Sequence, residues 1–131
     1  MLVEDDTVDV MTVKQALKDI NVTNHLVVTS DGEDALSYLR DEGNKIPGII
    51  LLDLNMPGMN GIEFLAVVKK NGVLKSIPVV VLTTSMEEQD KVDSFDLGVS
   101  GYMVKPVGYA QFVEVMKTIN LYWTLSELPE G

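Results

Sequence analysis

The run Ile49-Ile50-Leu51-Leu52-Asp53-Leu54-Asn55-Met56-Pro57-Gly58 constrains this chain more than any other stretch. Four consecutive apolar residues read as a strand covered on both faces, which is the habit of a parallel sheet. The run stops abruptly at Asp53, and Pro57-Gly58 is a turn signal. A carboxylate therefore stands at the C-terminal mouth of a buried strand, and in an open parallel sheet that edge is where ligands bind. Alone, such an Asp is more often a turn or cap residue. Its company has to decide.

The flanking sequence alternates between strand and helix signals. Leu2-Val3 is a stub of strand running into Glu4-Asp5-Asp6, with Asp6 a good helix N-cap. Val10, Val13, Leu17 and Ile20 recur at helical spacing. His25 to Thr29 reads as a second strand. Ser30 and Glu33 have capping-box spacing, with Asp31 a competing cap, and Ala35, Leu36 and Leu39 follow on one face until Gly43. After the Ile49 strand, Gly58 to Gly61 is a loop and Ile62, Leu65 and Val68 form a helix face that ends at Asn71-Gly72. Pro78 to Leu82 is another buried strand, ending on Thr83. Ser85 and Glu88 frame a further capping box for a helix carrying Val92 and Phe95. Gly101 to Val104 is the fifth strand, ending at Lys105-Pro106. Phe112, Met116, Ile119 and Trp123 line the last helix.

This βα order, repeated five times, predicts an α/β fold: one (βα)5 flavodoxin-like domain over 1–131, with a doubly wound parallel sheet in strand order 2-1-3-4-5. The length suits one core.

Bulk numbers exclude several classes. The net charge of -10 argues against direct nucleic-acid binding. There is no cysteine, hence no disulfide and no thiolate metal site. The single histidine, His25, lies in a strand far from any nucleophile signature, which argues against a Ser-His-Asp triad. No apolar run is long enough to span a bilayer and the N-terminus does not read as a signal peptide, so a cytoplasmic location is expected. Glu87, Glu88, Asp90, Asp93 and Asp96 on the fourth helix read as a solvated face.

The strand ends hold a constellation: Glu4 and Asp5 after the first strand, Asp53 after the third, Thr83 after the fourth and Lys105 after the fifth. Each residue alone has an ordinary explanation as a loop acid, a strand-end hydroxyl or a surface lysine. Together they line one sheet edge. Three carboxylates there repel unless a cation intervenes, and oxygen-only ligands select a hard ion: Mg2+, with Mn2+ as the alternative. A hydroxyl and an ammonium beside a metal-bound carboxylate make a receptacle for a tetrahedral anion. Phosphoryl transfer onto Asp53, giving an acyl phosphate, is the chemistry that fits.

At this point the chain resembles the receiver domains of two-component response regulators. The resemblance is carried by Leu2-Val3-Glu4-Asp5-Asp6, Leu52 to Gly61, Pro78 to Thr83, and Gly101-Tyr102-Met103-Val104-Lys105-Pro106. It implies that a sensor histidine kinase or a phosphotransfer protein phosphorylates Asp53. It implies that Asp5 and Asp53 ligate Mg2+ directly, Asn55 through its backbone carbonyl and Glu4 through water. Lys105 would pair with the phosphoryl group, across a cis bond to Pro106. Thr83 would move toward the phosphoryl oxygen and Tyr102 would turn inward. The fourth helix, fifth strand and fifth helix would then present a changed surface to a downstream protein target. Such a domain catalyses its own phosphorylation and dephosphorylation and turns over no separate substrate.

Thr84 departs from the family's usual Ala or Gly and is expected to narrow access to the phosphoryl group; Asn55 and Ser85 hold positions that tune hydrolysis in the family. The first strand is short for a central one, which suggests a few native residues upstream. Leu121, Leu125 and Leu128 have helical spacing; they either cover the bottom of the sheet or form a homodimer or sensor-docking patch. This tail, the Asn21 to Ser30 stretch and Leu82-Thr83-Thr84 look similar to single-domain receivers partnered with bacterial phytochrome-type sensor kinases. Two rivals remain: a phosphorylation-independent interaction module on the same fold, which would not need the acids, and a small Mg2+-dependent aspartyl-phosphate hydrolase, which would carry an acid where this chain has Asn55.

Overall fold

A computed structural model describes residues 1–20, 26–56, 58–83, 93–104, 108–114 and 116–117. Strands β1 (Leu2–Val3), β2 (Val28–Thr29), β3 (Ile50–Leu52), β4 (Val79–Thr83) and β5 (Gly101–Val104) alternate with helices α1 (Thr7–Asp19), α2 (Gly32–Arg40) and α3 (Gly61–Lys70). A 3-10 turn, Leu74–Ser76, leads into β4. Helical residues 93–96 before β5 belong to α4, and 109–114 with 116–117 after it belong to α5. All strands pair in parallel in the order β2-β1-β3-β4-β5, as the alternating pattern predicts.

The strand period of two sends alternate side chains to opposite faces. Val3, Ile50, Leu52, Val79 and Val81 pack with Ala35, Leu36, Phe64, Leu65 and Val68 on the α2–α3 face. Leu2, Leu51, Val80 and Leu82 pack with Val13, Ala16, Phe112 and Met116 on the α1–α5 face. The Tyr109 hydroxyl also donates to the Asp19 carboxylate, tying α5 to α1; this bond holds the Asp19 carboxyl below its ordinary range and pushes the Tyr109 phenol up.

Several local expectations hold. Asp6 caps α1, its Oδ1 accepting the N–H of Val8 at 2.8 Å and of Asp9 at 3.2 Å. Val13 is buried on α1, and Val10, Leu17 and Ile20 pack against the same core. Others are corrected. Asp31, not Ser30, caps α2, accepting the Asp34 N–H at 2.8 Å; one residue later in the chain, it leaves Gly32 as the first helical residue. The α2 helix stops at Arg40, short of Gly43, where Asp41 turns to accept the Gly43 N–H at 2.9 Å. A capping box between Asn60 and Glu63 starts α3, which the loop reading of Gly58 to Gly61 passed over. Phe95, on the helix before β5, is 49% exposed, while Leu97 and Val99 pack against the core. His25, the Ser85–Glu88 capping box, Thr84, Val92, Ile119, Trp123 and the apolar tail lie outside the described residues.

The Met1 amine joins the ladder, donating to the Ile49 carbonyl at 2.9 Å. Burial lowers its pKa from 8.0 to about 6. Between those values the folded amine holds fewer protons than the unfolded one, so stability falls as pH drops from 8 to 6. The loss is about 2–3 kcal/mol. Urea denaturation at pH 8 and pH 6 checks this in a chain beginning at Met1. N-terminal acetylation, which leaves His25 in place, should abolish the difference.

Candidate functional site

Strand register assembles the site. Val3 lies opposite Leu52, so the next residues, Glu4 and Asp53, emerge side by side at the same edge. The Asp53 N–H donates to the Val3 carbonyl at 3.0 Å and the Glu4 N–H to the Thr29 carbonyl at 2.9 Å, holding both backbones in the sheet's continuation. Carboxylate oxygens of Glu4, Asp5 and Asp53 lie within 4.8 Å of one another. Glu4 and Asp53 are buried, at 3% and 5% exposure, while Asp5 faces solvent.

Local bonds orient these acids. Glu4 Oε1 accepts the Asp6 N–H at 3.1 Å, and Asp53 Oδ1 accepts the Asn55 N–H at 3.1 Å. Three negative charges at this spacing, two of them withdrawn from water, are an unfavourable set without a counter-charge. A divalent cation with oxygen ligands supplies one, and the exposed Asp5 leaves a path for it from solvent. The donor set therefore fits a hard divalent ion.

Thr83 ends β4 fully buried, and its register partner Val104 ends β5. The Asn55 side chain reaches across to it, Nδ2 donating to Oγ1 at 3.3 Å. Tyr102 pairs with Val81 in the ladder and is half-buried against the α2–α3 core. Val81 and Thr83 are two residues apart on one strand, so Tyr102, Val81 and Thr83 share a sheet face. Lys105 lies outside the described residues.

The loop after Asp53 folds back hard on its own start. Gly58 has φ +70°, a left-handed conformation that glycine adopts without strain. The Gly61 N–H donates to the Leu54 carbonyl at 3.1 Å. A Cβ on Gly61 would stand 2.6 Å from the Asp53 carbonyl oxygen and 2.6 Å from Leu54 Cα. The start of α3 thus buttresses the backbone that carries Asp53. Sequence reasoning treated Gly61 only as part of a motif and missed this contact; a glycine directly after an N-cap residue is the signal that points to it. It also missed the Asn55–Thr83 link, for which no local pattern exists.

The comparisons agree with this geometry. The sequence profile of the response regulator receiver domain matches residues 1–117. Response regulator Rcp1 of Synechocystis sp. is 38% identical over 127 residues, 94% of this chain and 86% of that protein. The solved Mn2+-bound form of Rcp1 superposes with a TM-score of 0.83 at 38% identity, over 93% of this chain and 91% of that one. The phosphorylated cyanobacterial phytochrome response regulator RcpA superposes with a TM-score of 0.83 at 41% identity, over 94% and 91%. No helix among the described residues is long and apolar enough to cross a membrane. With its sheet order, its acid cluster and these relatives, the chain belongs to the response regulator receiver domain family of two-component signalling.

Proposed function

We propose that this chain is a receiver that accepts a phosphoryl group on Asp53 from a sensor histidine kinase or a phosphotransfer protein. The observation that carries the reading is the convergence of Glu4, Asp5 and Asp53 at the mouth of the sheet, beside a buried Thr83. An Asp53 carboxylate oxygen attacks phosphorus of a phosphohistidine; the P–N bond breaks, its electron pair stays with the imidazole, and an acyl phosphate remains. Bound Mg2+ would neutralise charge on the phosphoryl oxygens. Asp5, Asp53 and the Asn55 carbonyl would hold it directly, and Glu4 through water. Mn2+ would serve in its place, as a Mn2+-bound relative suggests.

The Asn55 N–H, donating to Oδ1, orients the Asp53 carboxylate. Lys105, which follows Val104 in the chain beside Thr83, pairs with the phosphoryl group. Thr83 donates to a phosphoryl oxygen, and Tyr102 on the same sheet face turns into the space released. Those contacts favour one of two arrangements, and the α4–β5–α5 surface reports which one to a downstream protein. A relative that is a phytochrome response regulator supports a phytochrome-type kinase as donor.

The test is intact-protein mass after incubation with a small acyl phosphate, with Mg2+ and without metal. A gain of one phosphoryl group only with metal is expected. No gain from the acyl phosphate or from a phosphorylated kinase would overturn the reading in favour of a phosphorylation-independent module. Turnover of a generic phosphomonoester would favour a hydrolase instead.

A further inference from the structure

We infer that the buried Ser94 hydroxyl is a built-in weak point: it keeps the corner between α4 and β5 close to opening, and so lowers the cost of rearranging that corner when Asp53 carries a phosphoryl group. The link to Asp53 rests on the reading of Asp53 as phosphoryl acceptor. The weak corner itself does not.

The corner is closed by a regular helix stop. Gly98 has φ +86°, the left-handed conformation in which many helices end. Its N–H donates to the Phe95 carbonyl at 2.9 Å, and the Val99 N–H donates to the Ser94 carbonyl at 3.2 Å. These are the two bonds of a Schellman motif. The Ser100 N–H then donates to the Val79 carbonyl at 2.7 Å, and the chain enters β5 at Gly101. In this motif the residue four before the glycine is commonly apolar and packs against the residue just after it. Here those positions hold Ser94 and Val99. Leu97 and Val99 pack against the core on the α2–α3 face.

Ser94 is fully buried, and its Oγ has no hydrogen-bond partner among the described residues. A hydroxyl withdrawn from water without a partner opposes the state that buries it. Opening the corner returns Oγ to water and removes that penalty. The glycine, the two helix-end bonds and the Ser100 bond favour closure, and Ser94 works against them. The position matters because β5 pairs only with β4 at the edge of the sheet, and Val104 on it is exposed. A corner that opens readily lets this strand be presented differently without disturbing the centre of the sheet.

Ser94→Cys is the sharpest probe. It keeps the size and the helix propensity of serine, and a thiol is buried at little cost. Ser94→Ala is the second variant; it also gains helix propensity. The measurement is amide hydrogen exchange at Gly98 and Val99 in metal-free protein, where exchange follows local opening. Both variants should slow it by about five- to a hundred-fold, the worth of one unpartnered buried group, and should raise the urea midpoint. Ser100→Ala, at an exposed side chain, should change neither. Gly98→Ala should speed exchange at the same amides: an added Cβ meets no atom within 4 Å, so only the left-handed backbone is disfavoured. With Mg2+ and beryllofluoride, a tetrahedral phosphoryl mimic, Ser94→Cys should bind the mimic more weakly by up to the same factor, because the mimic then has to rearrange a firmer corner.

Ser94→Cys and Ser94→Ala proteins less stable than wild type would overturn the inference, since the hydroxyl would then be contributing a bond. Unmoved exchange at Gly98 and Val99 would overturn it too, and so would wild-type affinity for the mimic. Wild-type protein that neither binds the mimic nor takes up a phosphoryl group, with those amides slowing as expected, would overturn the acceptor reading and the link to Asp53 while bearing out the weak corner.

Discussion

Asp53→Asn should abolish phosphoryl uptake and, in the absence of metal, make the protein more stable by about 1–3 kcal/mol. Both effects come from one atom change. The substitution removes the nucleophilic carboxylate and one of three negative charges whose oxygens lie within 4.8 Å of each other. Asn keeps a side-chain oxygen, so the bond from the Asn55 N–H at 3.1 Å can persist and the comparison isolates charge. Asp53 is buried at 5% exposure, so water screens its repulsion from Glu4 poorly.

The metal response should reverse in parallel. A ligand that binds only the folded state stabilises it by about 2.7 kcal/mol at one hundred times its dissociation constant. Wild-type protein should show a gain of that order with Mg2+, and Asp53→Asn little or none at the same concentration. Urea denaturation in chelator and in Mg2+ measures all four numbers. Equal stability of the two proteins in chelator would mean the acid cluster carries no net repulsion, and the electrostatic case for a cation would fall.

Gly61→Val should cost about 2–4 kcal/mol and blunt the response to Mg2+. The obstacle is backbone: an added Cβ meets the Asp53 carbonyl oxygen and Leu54 Cα at 2.6 Å, and Leu54 Cδ2 at 2.8 Å. A flexible side chain could rotate away, but a carbonyl one residue from a ladder bond cannot. Either α3 retreats from the sheet, which opens the packing of the fully buried Phe64 and Leu65, or the Asp53–Leu54 backbone shifts and carries the carboxylate with it. Gly72 is the control. Nothing lies within 4 Å of a Cβ there, so Gly72→Ala should be neutral or stabilising by up to about 1 kcal/mol. Thermal or urea unfolding of the two variants checks the contrast. A Gly61→Val protein with wild-type stability and metal response would show that the close approach has no bearing on the acceptor loop.

These two sites differ in how far they can be read from the chain. The acids at the strand ends were legible because each follows a run of apolar residues, and a sheet built from βα repeats must bring such ends to one edge. Asp6 as a cap and the helical spacing of Val10, Val13, Leu17 and Ile20 were legible for a related reason: the partners lie within four residues, so the pattern is the mechanism. Lys105 carries a motif signal after β5 but lies outside the described residues. Ser30 and Asp31 were both competent caps; the start of α2 at Gly32, whose added Cβ would meet Met59 at 3.0 Å, goes with Asp31. Phe95 and Phe64 are equally apolar, yet one faces solvent and the other is fully buried, because burial depends on which face of the helix meets the sheet.

The sequence by itself determined the order of elements, their parallel pairing and the types of residue delivered to the functional edge, since periodicity and capping are local. Tertiary structure alone decided the contacts that make those residues a site. Register sets Glu4 beside Asp53, folding of the loop drives Gly61 against the Asp53 backbone, and adjacency of β3 and β4 lets Asn55 reach Thr83. Each of these joins atoms from separate stretches of chain, so no window of neighbouring residues contains both halves. The packing of the whole sheet brings them together.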